Sequence, residues 1–108
     1  MMGNFQQFMQ QAQQAKSRFD DIQKEMAQVE VEGAAGGGMV KVKMTCRGEF
    51  RNVEIDPALF AENEKDVLED LFVAACNDAR ANADQKLTEQ TKKVMQELGL
   101  PEDMNLPF

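Results

Sequence analysis

The chain contains no histidine, no tryptophan and no tyrosine, and only two cysteines, Cys46 and Cys76. Without histidine, and without a CxxC pair, the ligand sets of zinc sites and the cysteine–histidine pairs of nucleophilic enzymes are missing. The two thiols are expected to be free and buried rather than bridged, as in a reducing compartment. All seven aromatic residues are phenylalanine. Phe5, Phe8, Phe19 and Phe72 fall at helical spacing among other apolar residues, so a base-stacking platform for single strands lacks material. No stretch approaches the roughly 18 apolar residues of a membrane span. The N-terminus is glutamine-rich rather than basic then apolar, so a cytoplasmic protein without membrane attachment is expected. The glycine run Gly33–Gly38 does not lead into a helix, as a phosphate-cradling turn would, and no nucleophile has an evident base. No catalytic residue, metal, cofactor or small-molecule substrate is expected.

What is present is a chain of 108 residues, 43% hydrophobic and 29% charged, the size and composition of one soluble domain. Residues 1–99 are expected to form that domain, and residues 100–108 a C-terminal tail. Net charge is −7, which by itself favours a protein partner over a polyanion. The charge is uneven, however. Residues 1–28 balance at zero, residues 39–53 carry +3 and residues 54–70 carry −6. Basic surfaces are therefore compatible with the acidic total.

Phe5, Phe8, Ala12, Ala15, Phe19, Ile22 and Met26 alternate spacings of three and four, a heptad seam that predicts a long first helix with Asn4 as its N-cap. Such a helix can lie on its own sheet or pair with another helix. Val29 and Val31 then alternate with Glu30 and Glu32, predicting a strand over Gln28–Glu32, followed by a Gly33–Gly38 hairpin loop. Met39–Cys46 predicts a second strand, with Val40, Val42, Met44 and Cys46 inward and Lys41, Lys43 and Thr45 outward. Phe50–Ile55 predicts a third strand with Val53 and Ile55 inward. Asp56-Pro57 opens one helical turn through Phe60. Asn63, with Asp66 three residues on, is expected to cap a helix running through Leu68, Phe72, Ala75, Ala79, Ala83, Leu87, Val94 and Leu98, with Gly99 as its C-terminal stop.

The fold class is α+β: a long N-terminal helix, a three-stranded antiparallel sheet and a long C-terminal helix. From Glu64 to Leu98 are 35 residues, or ~52 Å of helix. Strands of six to eight residues span only roughly 20–27 Å, so Leu87, Val94 and Leu98 overhang the sheet. The first helix of the same or a partner chain is the natural cover, and dimerisation would also close the sheet edges.

"VEVEGAAGGGMVKVKMTCRGEFRNVEIDPALF" resembles the strand–glycine loop–strand–strand core of the YbaB/EbfC family, with Val40-Lys41-Val42 and the run Val53-Glu54-Ile55-Asp56-Pro57. "DVLEDLFVAACNDARANAD" is similar to the opening of that family's long helix. "MQQAQQAKSRFDDIQKEMAQ" and Leu106-Pro107-Phe108 also match, so the resemblance covers essentially the whole chain. It implies an intertwined, tweezer-like homodimer associated with the bacterial nucleoid. That dimer would bind mostly duplex DNA with low or variable sequence preference, in some cases affecting gene expression. This chain is more acidic than some relatives and has fewer basic residues near its N-terminus.

Two surfaces are candidates for phosphate contact. One lies on the helices, with Lys16, Arg18 and Lys24 on the first and Arg80, Lys86, Lys92 and Lys93 on the second. The other is the outer sheet face, with Lys41 and Lys43, and Arg47 and Arg51 nearby. Two arms of a tweezer-like dimer can straddle a duplex, which makes the helices the first choice. Contacts of this kind position a protein without reading bases. The rival reading is a dimeric protein-interaction or assembly adaptor without direct DNA binding, which acidity, eight methionines and exposed seams would suit.

Overall fold

The structure, a computed structural model, describes residues 2–99, with side chains from residue 4 onward. The elements are α1 (Met2–Met26), β1 (Glu30–Ala35), β2 (Val40–Thr45), β3 (Phe50–Ile55), a 3-10 turn (Pro57–Phe60) and α2 (Lys65–Glu97). This is the expected α+β order. The expected tail, residues 100–108, lies outside the described residues. The molecule is 74 Å long and 22 by 17 Å across.

The three strands form an antiparallel sheet in the order β1-β2-β3. Val40, Val42 and Met44 of β2 point to one face and are fully buried there, where α2 lies across β1 and β2. The helix reaches this close because Gly33 offers no side chain. A Cβ there would overlap the Ala75 carbonyl oxygen and the Ala79 amide nitrogen. The facing helical residues Ala75, Ala79 and Ala83 are equally small and buried. Gly33 is thus a strand residue rather than part of the predicted loop. Only Gly36, Gly37 and Gly38, all at positive φ, turn the chain. The free edge of β1 is closed by α2. The Asp78 carboxylate accepts from the Ala34 amide at 3.0 Å, and one turn on the Asn82 side-chain amide donates to the Glu32 carbonyl at 2.8 Å.

Other local expectations change for physical reasons. α1 begins before Asn4, which lies within the helix. Thr45 is buried rather than outward: the β2–β3 register shifts at Lys43/Met44, and the threonine hydroxyl accepts from the Glu49 amide at 3.1 Å, closing the turn to β3. Asp56 does cap the 3-10 turn, accepting from the Ala58 amide at 2.8 Å. Asn63 does not cap α2. It takes a left-handed φ of 75° to redirect the chain, which asparagine tolerates, and Glu64 stands at the cap position without a side-chain hydrogen bond.

Of the two places open to α1, the helix-pairing one is occupied, within a single chain. Phe19, Ile22 and Met26 join Val94 and Met95 in the core, with Leu87 and Leu98 packed against it. The α2 overhang therefore needs no second copy to cover it. Arg18 and Glu97 pair at 3.0 Å across the same junction. The outer strand of the sheet stays partly open. Val53 is the register partner of the fully buried Val42, yet it is 39% exposed because α2 does not extend over β3.

Candidate nucleic-acid interface

The C-terminal third of α2 and the second half of α1 form a helical arm beyond the sheet. Residues 1–28 and 86–99 together carry six lysines and arginines against five carboxylates, whereas residues 29–85 carry −6. The acid is concentrated in the body of the molecule and at the start of α2, where it faces the positive end of the helix dipole.

On the arm, Arg18 is engaged with Glu97, and just before it Arg80 is held at 3.4 Å by Asp84, one turn on. Lys16, Lys24, Lys86, Lys92 and Lys93 are exposed and make no ion pair among the described residues. Lys86 and Lys93, seven residues apart, share one stripe of α2 about 10 Å apart along its axis, and Lys92 points roughly 100° away. Ammonium groups at such intervals suit a line of phosphates.

The sheet face is different. Register places Lys41 between Ala34 and Glu54, and Lys43 between Glu32 and Asn52. With Glu30 on the same face, three carboxylates surround two ammonium groups, and the face is not basic. Arg51 is paired with Glu49 at 3.4 Å.

Arg47 lies elsewhere than with the sheet lysines. It shares a groove of about 270 Å³ with Arg80, Asp84, Leu87, Cys46 and Gly48. Burial pushes the Cys46 thiol up, and the nearby Lys86 ammonium partly offsets this. The β2–β3 turn thus brings Arg47 alongside the basic stretch of α2. Arg47 and Arg80 are 33 positions apart, and the sequence pattern places them on separate surfaces; only the packing of α2 across β2 joins them. Both cysteines are free. Among the described residues no cluster of carboxylates and thiols could hold a metal, and no helix is long and apolar enough to cross a membrane.

The model of the YbaB/EbfC DNA-binding family matches residues 2–98. The chain belongs to this family. Within it, the chain is 46% identical over 100 residues to a nucleoid-associated protein of Afipia carboxidovorans, covering 93% of this chain and 95% of the relative. Its fold resembles the crystal structure of an uncharacterized protein from Helicobacter pylori, with a TM-score of 0.73 over 84% of this chain and 96% of the other. Identity there is 21%, so that likeness speaks for the fold alone.

Proposed function

We propose that this protein is a nucleoid-associated protein that binds duplex DNA as a homodimer, with low or variable sequence preference, through the lysines of its helical arms. The observation that carries the reading is the set of exposed arm lysines that form no ion pair among the described residues, in a chain of a DNA-binding family. Each ammonium neutralises a phosphate and releases condensed counterions, a driving force that is indifferent to base sequence. The two arms of a dimer would present each lysine twice, straddling a duplex. Effects on nucleoid organisation or gene expression would follow from occupancy of the duplex rather than from recognition of an operator.

The dimer reading is supported by the apolar surface left open beside β3 and at the start of α2. Val53 of β3, Phe60 of the 3-10 turn, and Val67, Phe72 and Val73 around the first turns of α2 are exposed, and a second copy could cover part of this apolar area. Light scattering should return about twice the 12.1 kDa chain mass.

Gel shift with two unrelated duplexes across a salt series tests DNA binding. Similar affinities are expected, with log K falling linearly against log salt at a slope of about −0.9 per phosphate neutralised. No binding to either duplex at about 50 mM salt would put the assembly-adaptor reading in its place.

A further inference from the structure

We propose that the groove between the β2–β3 turn and α2 is a phosphate site, in which Arg47 and Arg80 together hold one phosphodiester of the duplex that the arm lysines bind. The site rests on the DNA-binding reading and extends it from the arm onto the body of the molecule. The groove, of about 270 Å³, is lined by Cys46, Arg47, Gly48, Arg80, Asp84 and Leu87. Each wall is built locally. On one side the Gly48 amide donates to the Thr45 carbonyl and the Glu49 amide to the Thr45 hydroxyl, which fixes the turn. Gly48 has a φ of 97° and open space where a Cβ would stand, so the mouth beside Arg47 is clear. On the other side Arg80, Asp84 and Leu87 follow at spacings of four and three and share one side of α2.

Charge and size select a phosphodiester. Two arginines line the groove against one carboxylate, within a stretch, residues 29–85, whose net charge is −6. Arg47 is exposed and makes no ion pair among the described residues. Arg80 pairs with Asp84 at 3.4 Å, but the two side chains are 71% and 64% exposed, and a pair so open to water contributes little. A phosphate presents oxygens to two planar guanidinium forks at once and draws Arg80 from that pair. The Lys86 ammonium, whose charge reaches the Cys46 thiol on the groove wall, adds to the positive field. Pockets for free small molecules begin at about 300 Å³, so this smaller groove suits one phosphate and its sugar on a strand lying across it. From Arg80 to Lys93 the helix rises about 20 Å, the axial length of about six base pairs. One duplex can therefore meet the groove and the arm lysines together.

Gel shift of the full-length protein on one duplex, arranged as a double-mutant cycle, tests the site. Arg47 and Arg80 are both exposed, so their alanine variants should melt as the parent does. Arg47→Ala should weaken binding about tenfold, and Arg80→Ala should add little to that loss, because both side chains hold the same phosphate. Per protomer, the slope of log K against log salt should shrink by about one in Arg47→Ala/Arg80→Ala and by about two in Arg47→Ala/Lys93→Ala. Asp84→Asn, which releases Arg80, should strengthen binding more than Glu54→Gln, the same charge change on the sheet. Parental affinity and slope in Arg47→Ala, while the parent binds, would overturn the phosphate site and leave the DNA-binding reading standing. Fully additive losses from Arg47→Ala and Arg80→Ala would overturn the shared phosphate. Failure of the parent itself to bind duplex would remove both. Guanidinium NMR signals of Arg47 and Arg80 that respond to inorganic phosphate at constant ionic strength, but not to duplex, would assign the groove to a free anion and overturn the proposal as well.

Discussion

Gly33 of β1 and Ala79 of α2 meet backbone to backbone, closer than any side chain at position 33 would permit. That approach seats α2 on the sheet. It also brings Asp78 and Asn82 to the free edge of β1 and aims the remainder of the helix, with its lysines, past the sheet as an arm.

Gly33→Ala is expected to destabilise the protein by about 3 kcal/mol, because the methyl group meets helix backbone that cannot rotate away. Gly37→Ala, whose Cβ meets nothing but whose φ is 66°, should cost about 1 kcal/mol. Urea denaturation of both variants compares them; equal losses would contradict the close-approach account.

Asp78→Ala and Asn82→Ala should each lose about 1–2 kcal/mol as a strand-edge group gives up its partner. Hydrogen exchange gives the local readout. The Ala34 amide, which donates to Asp78, should exchange faster in Asp78→Ala while the amides paired within the β1–β2 ladder keep most of their protection.

Val94→Glu places a carboxylate at a position 3% exposed, against Phe19, Ile22 and Met26, and should cost several kcal/mol and detach α1 from α2. Leu87→Glu, at a partly buried site, should do the same more mildly. Unchanged helicity and melting in Val94→Glu would contradict the packing of α1 on α2.

Much of this was legible in the residues, and the exceptions share a cause. Heptad spacing marked α1, alternation marked β2, and Asp56-Pro57 marked the 3-10 turn, because each is a local pattern with a local mechanism. The sequence does not distinguish Gly33 from loop, because a glycine run looks the same whether it serves flexibility or close packing. Val53 was expected to be covered because alternation assigns a face without saying how far a helix extends over it. Of the candidate site, the sequence shows the arm lysines as charges off an apolar stripe, and the structure leaves them exposed. That Lys41 and Lys43 face Glu54 and Glu32, and that Arg47 joins Arg80, depends on register and packing that sequence spacing does not contain.

The Cys46 thiol supplies a pH signature. Burial raises its pKa above the ordinary value of 9.0, so the native state holds this proton more tightly than the unfolded chain does. The contribution is intact below pH 9.0 and is lost as pH climbs through the raised value. Stability should therefore fall in that alkaline window, and Cys46→Ala should flatten the fall. Lys86→Ala, removing the charge that lowers the thiol, should leave the start of the window in place, extend its upper end and deepen the fall. The check is denaturant midpoint against pH; identical alkaline profiles for the parent and Cys46→Ala would rule the effect out.

The central claim, that the arm rather than the sheet meets DNA, comes down to one comparison of salt slopes. Lys86→Ala/Lys92→Ala/Lys93→Ala and Lys41→Ala/Lys43→Ala are titrated against the same duplex by gel shift, after their melting temperatures are matched to the parent. The arm variant should bind more weakly to unrelated sequences alike, with its slope of log K against log salt reduced by about one per lysine that contacted phosphate, while the sheet variant binds as the parent does. Parental binding by the arm variant together with lost binding by Lys41→Ala/Lys43→Ala would contradict the account and place the duplex on the sheet.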